Sequence, residues 1–154
     1  MTTLATAYWM RLPEELRQAP QWCIAGPDKA PYMATADGTI VRANVSKSST
    51  WRSFDQVASV AASLEGASIG FVLSYEDQWT CIDLDVVNEQ TQKLKGQPVD
   101  HTKWTTAEQI ARFTKIVELF DSYTEISQSG YGLHIWVRGR VGAGARYGGV
   151  EVYS

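Results

Sequence analysis

At 154 residues, 44% hydrophobic and 20% charged, the chain has the size and composition of one ordinary globular domain with room for a core. A formal net charge of −3 speaks against a surface coated in basic groups, and no apolar run is long enough to span a bilayer. Residues 1–10 lack the basic-then-apolar pattern of a secretory signal. Cys23 and Cys81 lie in strand-like apolar runs and read as buried free thiols, and two histidines are too few for a histidine-rich metal site.

Residues 13–18 predict a short helix with Pro13 at its start, and residues 21–25 a strand turned by Gly26-Pro27-Asp28. Residues 29–49 are polar and predict a loop or loose hairpin with a short strand at 39–41. Residues 53–64 predict a helix: Ser53 and Gln56 fit a capping box, Gly66 follows the end, and Val57, Val60, Ala61 and Leu64 form the buried stripe. Strands at 68–73 and 79–84 flank the turn Tyr75-Glu76-Asp77-Gln78 and predict an antiparallel hairpin. Residues 88–103 read as a polar excursion loop. Residues 105–120 are the clearest helix, with a Thr105/Glu108 capping box and an apolar face of Ile110, Phe113, Val117 and Phe120. A strand at 123–127, the glycine turn Ser129-Gly130-Tyr131-Gly132, a strand at 133–137, a glycine-rich loop at 139–149 and a strand at 150–153 complete the chain. Interspersed helices and hairpin-linked strands give an α+β class with a mixed or antiparallel sheet.

The chemistry centres on Thr80-Cys81-Ile82-Asp83-Leu84-Asp85-Val86-Val87. On a strand, Asp83 and Asp85 point one way, while Ile82, Leu84 and Val86 point into a core. Two carboxylates ~5 Å apart at an effective dielectric of ~20 repel by roughly 3 kcal/mol. A shared proton or a hard divalent cation offsets that cost; so does a strand end where both acids simply reach water. A second element is Ser129-Gly130-Tyr131-Gly132-Leu133-His134. Its backbone N–H groups suit phosphate oxygens, and its histidine alternates with apolar neighbours; a plain hairpin turn would use the same glycines. A third is Glu151, flanked by Val150 and Val152. It becomes a third carboxylate of the site if its strand lies beside that of Asp83. Between Ile126 and Val150 there is no acid, while His134, Arg138, Arg140 and Arg146 all fall there. Residues 29–52 hold Lys29, Arg42, Lys47 and Arg52 against the single acid Asp37. These stretches read either as a local basic surface or as scattered solubilising charge.

Asp-x-Asp in an apolar strand, Ser-Gly-x-Gly-x-His, and then apolar-Glu-apolar-Tyr together resemble the archaeo-eukaryotic primase superfamily. The closest look is to the bifunctional primase-polymerase domain of phage and plasmid replication proteins. Gln21-Trp22, Lys29-Ala30-Pro31-Tyr32, Thr50-Trp51, Ile69-Gly70-Phe71-Val72-Leu73 and Tyr123-Thr124-Glu125-Ile126-Ser127 extend the resemblance from about Gln21 to Tyr153. It implies one catalytic domain over residues 1–154, built from an RRM-like sheet with packed helices and an N-terminal α/β module. It implies template-directed nucleotidyl transfer in DNA replication, for primer synthesis or polymerisation, in the cytoplasm of a prokaryotic or phage-infected cell. Asp83, Asp85 and Glu151 would hold two Mg²⁺ or Mn²⁺ ions. His134, with Ser129, Gly130 and Gly132, would contact the nucleoside triphosphate. Arg138, Arg140 and Arg146 would track the DNA template and primer, and a helicase is the implied protein partner. The family's third motif is usually followed by a further strand, so the chain is expected to be incomplete after Ser154. The alternative is a primase-like module that binds nucleic acid or nucleotide without turnover. A haloacid-dehalogenase phosphatase lacks its downstream Lys and acidic motifs here, and a rolling-circle nuclease lacks its paired histidines.

Overall fold

The computed structural model describes residues 4–154. The chain divides into two compact units, Met1–Val72 and Leu73–Ser154. Both are α+β, each with an antiparallel sheet.

In the first unit, helices α1 (Leu4–Trp9) and α2 (Glu14–Gln18) precede strand β1 (Trp22–Ala25). Strands β2 (Pro31–Ala34), β3 (Ile40–Arg42) and β4 (Ser68–Phe71) complete a sheet of order β3-β2-β1-β4. Helix α3 (Phe54–Ala61) carries the expected Ser53/Gln56 capping box. It buries Phe54, Val57, Ala58 and Ala61, an i, i+3, i+4, i+7 stripe. The predicted stripe is therefore one turn out of place: Val60 and Leu64 are half-buried, and Phe54 takes the anchoring position. The reason is Trp22, whose ring meets Phe54 and Phe71 edge-on at 5.4 and 5.1 Å and whose Nε1 donates to the Leu16 carbonyl.

The second unit is organised on β5 (Trp79–Asp85), the central strand of a sheet ordered β6-β7-β5-β9-β8. Its neighbours are β6 (Thr124–Ile126), β7 (Gly132–Arg138), β8 (Ala145–Tyr147) and β9 (Val150–Tyr153). Alternation sends Ile82 and Leu84 from β5 and Ile135 from β7 to one face, where Phe113 of helix α5 (Ala107–Phe120) closes a core with Val86, Ile116, Val117 and Val150. The opposite face is left to Asp83, Asp85 and their cross-strand partners.

Four expectations are corrected here. The strands at 68–73 and 79–84 do not pair: β4 joins β1, from Trp22↔Phe71 to Ala25↔Ser68, while β5 lies between β7 and β9. Alternation specifies a strand but not its partner. The turn between them is self-contained, because the Asp77 carboxylate accepts from the Ser74 and Trp79 N–H groups at 2.7 and 2.8 Å. The polar stretch 88–103 is not a bare loop. Asn88 and Thr91 form a capping box for helix α4 (Glu89–Leu94), and the buried Gln92 pins the segment through Asp100 N–H, Asp100 carbonyl and Trp104 Nε1 at 2.9, 3.1 and 3.1 Å. A helix whose buried residues are Thr91 and Gln92 leaves no apolar period to read. The α5 capping box is Thr106/Gln109, one residue later than expected. Thr105 is occupied elsewhere, its Oγ1 and N–H both engaging Val87 at 2.7 Å; Ile110 and Phe120 on that helix stay 42% and 43% exposed, so its core contact is narrower than predicted. Finally, the loop at 139–149 contains β8, joined to β9 by Gly148 and Gly149 at φ +57° and +82°. Both central residues of such a tight hairpin need the left-handed region.

Candidate active site on the sheet of the second unit

Register decides the site. In the antiparallel ladders, Glu125 on β6 stands opposite His134 on β7, and His134 opposite Asp83 on β5. Asp83 in turn faces Glu151 on β9, and Glu151 faces Arg146 on β8. Directly opposed residues share a face. Five strands therefore contribute one side chain each to a single row, about 19 Å from end to end at ~4.8 Å per strand spacing. Asp83, His134 and Glu151, distant in the chain, are brought side by side in this row. Glu125 and Lys95 join them without having been singled out as site residues.

Each member has a distinct environment. His134 Nδ1 lies 3.3 Å from Glu125 Oε1; a carboxylate only accepts, so Nδ1 carries the proton. Glu125 is itself fixed by Trp136 Nε1 at 3.1 Å and the Tyr123 hydroxyl at 3.4 Å. This leaves His134 Nε2 aimed at Asp83 Oδ1, 3.7 Å away. Burial opposes the imidazolium, but the hydrogen bond to Glu125 and the charges of Asp83, Glu125 and Asp85 outweigh it, so the His134 pKa lies above the ordinary 6.5. Asp83 is pushed up from the ordinary carboxylate value. Burial is the main cause; His134 and Lys95 pull it down, and the charges of Asp85 and Glu151 push it up. Its Oδ1 is buried with no hydrogen-bond partner. A buried, unpartnered acceptor is costly and calls for a ligand or a function.

The other two acids have partners. Asp85 Oδ2 pairs with Lys95 Nζ at 3.2 Å; Lys95 caps the C-terminal end of α4, so the excursion of 88–103 exists in part to bring a cation to Asp85. Glu151 is paired with Arg146 and accepts from the Tyr153 hydroxyl. That hydrogen bond, with burial and the neighbouring negative charge, pushes the Tyr153 phenol up to about 12, and the Arg146 pKa is raised by the same carboxylate. Among the described residues no group of three or more His, Cys, Asp or Glu side chains is arranged to hold a metal ion. Cys81, on the same face, is no nucleophile: burial first, then the charges of Asp83 and Glu125, push its thiol up to about 12.

The glycine turn adjoins this row at the end of β5. Gly132 is opposite Asp85, and a Cβ there would stand 2.7 Å from the Leu84 carbonyl and 3.6 Å from Asp85 Oδ1. Its glycine is required by close approach, whereas Gly130, at φ +80°, makes the turn. The N–H groups of Gly130 and Tyr131 are engaged within the turn by the Ser127 carbonyl and Ser129 Oγ, at 2.9 and 3.3 Å. Of the three arginines, Arg146 belongs to the row, while Arg138 and Arg140 lie at the other end of β5 and β7, over the rings of Trp79 and Tyr75. The apolar face bears a groove of about 710 Å³ lined by Leu84, Val117, Ile126 and Leu133 among others. Glu118 is its single charged lining residue, so it offers no set of groups for acid–base or phosphate chemistry.

The class defined by this geometry is an α+β protein with an acid–imidazole row on one face of an antiparallel sheet. No helix among the described residues is long and apolar enough to cross a membrane. The sequence is similar to the DNA primase-polymerase of Nitratiruptor phage NrS-1, 33% identical over 91 residues, which is 59% of this chain and 11% of that protein. The chain thus spans about a tenth of the length of this relative. No family model matches.

Proposed function

We propose that the chain is a nucleotidyl-transfer domain of the primase-polymerase type, which joins a nucleoside triphosphate to a 3′-hydroxyl on a DNA template. The observation that carries this reading is the single row holding Asp83, His134 and Glu151, with Asp83 Oδ1, buried and without a hydrogen bond, at its centre. The similarity to a phage DNA primase-polymerase supports it independently. The RRM-like core belongs to the same proposal, supported by β5 between β7 and β9 with α5 on the reverse face.

The donors suit a hard divalent cation, being carboxylate oxygens, one of them buried and unsatisfied. Asp83, Asp85 and Glu151 would hold Mg²⁺ or Mn²⁺, which when bound lowers the pKa of the attacking hydroxyl and offsets charge on the departing pyrophosphate. In the structure Lys95 pairs with Asp85 Oδ2 and Arg146 with Glu151, so these carboxylates carry counter-ions rather than standing gathered about a cation. His134, whose pKa Glu125 and Asp83 raise against the effect of burial, offers its ring N–H to a triphosphate oxygen, with the Ser129–Gly132 turn beside it. In the transfer, the 3′ oxygen loses its proton to water and bonds to the α-phosphorus as the bond from that phosphorus to the β-phosphate oxygen breaks and pyrophosphate leaves. Arg138 and Arg140 serve the template strand, and a helicase working on the same DNA is the partner this activity calls for.

A second reading, nucleotide or DNA binding without turnover, is favoured by the same two ion pairs, which occupy two of the three carboxylates. Extension of a primed template in Mg²⁺ or Mn²⁺ separates them. Catalysis predicts incorporation that Asp83→Asn lowers by roughly 1,000-fold. Binding of triphosphate with no incorporation by the wild type selects the second reading, and full activity of Asp83→Asn sinks the first.

A further inference from the structure

The end of the sheet away from the Asp85–Gly132 pair carries a second constellation. Trp79 stands opposite Arg138 on the face that bears Asp83 and His134, four residues further along each strand, which is roughly 13 Å at ~3.3 Å per residue. The Arg138 guanidinium lies over the Trp79 ring, 5.9 Å from its centroid. Just beyond, Arg140 repeats the arrangement over Tyr75 at 5.7 Å and donates from Nη1 to the Tyr75 carbonyl.

These four residues are fastened to the sheet. Gly139 N–H donates to the Gln78 carbonyl at 2.6 Å, and Thr80 Oγ1 to the Gly139 carbonyl at 2.7 Å. Of the two acids nearby in sequence, Asp77 has its carboxylate on the Ser74 and Trp79 N–H groups, and Glu76 is exposed in the turn. Tyr75 is 85% exposed, so with the guanidinium on one side its ring still offers a surface to solvent. One arginine lying on one aromatic ring is ordinary surface packing of an aliphatic stem. Two such pairs in succession, the inner one on the face of the carboxylate row and the outer one just past the strand ends, are a different arrangement.

We propose that Tyr75 with Arg140 and Trp79 with Arg138 form a stacking platform for the bases of a single-stranded nucleic acid. The rings take base faces without regard to sequence, and the guanidiniums add cation–π and phosphate contacts. A duplex has its bases already stacked on each other and cannot present them to these rings. The choice of nucleic acid as the ligand rests on the nucleotidyl-transfer reading above; the platform geometry does not.

The test is fluorescence anisotropy of a labelled oligothymidylate on the full chain in EDTA, where the carboxylate row has no cation to bind. Tyr75→Ala, whose exposure makes misfolding a negligible factor once circular dichroism matches wild type, is expected to weaken binding about 10-fold. Tyr75→Phe keeps wild-type affinity, and unlabelled duplex competes at least about 10-fold less well than unlabelled single strand. Wild-type affinity in Tyr75→Ala, equal competition by duplex, or no binding by the wild type overturns the platform. Should these binding results hold while primed-template extension fails, the platform stands and nucleotidyl transfer falls.

Discussion

The two faces of the second unit's sheet are made by the same strands and obey opposite rules. On one, Ile82, Leu84 and Ile135 are 4%, 1% and 0% exposed and lie under Phe113. These apolar side chains gain by leaving water, so that face contributes stability. On the other, the same three-residue span places Asp83 between a histidine and a second carboxylate, with one oxygen buried and unsatisfied. Proteins tolerate such local cost where chemistry requires it. The apolar core and the proposed site are thus separated by the two-residue period of a single strand, and substitutions at Ile135 and Asp83 should act in opposite directions.

The largest effect belongs to the apolar face. Ile135→Ala leaves a cavity at a fully buried position and is expected to cost about 3 kcal/mol, or roughly 10 °C in melting temperature, measured by thermal denaturation. A loss near zero would mean that α5 does not seal that face. Next comes Asp83→Asn. Because the folded-state pKa of Asp83 is raised, its ionised form is the disfavoured one in the fold, and stability falls as pH rises from the ordinary carboxylate value through the raised one. The penalty is fully present once the pH exceeds that raised value. Asp83→Asn removes it and is expected to stabilise by about 1 kcal/mol, or ~2–4 °C, while lowering nucleotide incorporation by roughly 1,000-fold. The gain disappears in acid, below the unfolded carboxylate pKa; a destabilised Asp83→Asn at pH 7 would contradict the contrast between the faces. The smallest effect on stability, below about 1 kcal/mol, is expected for Glu125→Gln. There the readout is the imidazole itself. The His134 pKa drops, seen in a proton NMR titration, because the carboxylate that favours the imidazolium is gone. In the wild type, protonated His134 contributes stability below its unfolded pKa, and that contribution fades as pH rises through the raised folded value. An unchanged titration in Glu125→Gln would mean that Asp83 alone sets the histidine's charge.

Much of this was legible in the chain, and the omissions have particular causes. Ser53/Gln56 and the strands at 79–84 and 150–153 were readable because capping and alternation are local. Helix α4 was not, since Gln92 holds it by hydrogen bonds to residues eight and twelve positions away. Glu125 lay within a recognised strand, but its role depends on Trp136 and His134 across the ladder. The one available signal was that alternation in 123–127 puts Tyr123, Glu125 and Ser127 on one face and an acid on that face opposite His134. Lys95 gave no signal at all, because the helix that delivers it to Asp85 has no apolar period.

The order of residues by itself determined which side chains share a strand face, since a pleated backbone alternates them whatever lies beside it. It therefore determined that Asp83 and Asp85 stand apart from Ile82 and Leu84. Only the tertiary structure decided that β5 sits between β7 and β9 rather than against β4, and in a register that lines up Glu125, His134, Asp83, Glu151 and Arg146. Strand pairing is a competition among distant segments for the same hydrogen-bonding edge, settled by the core packed beneath them, and no local pattern encodes its outcome.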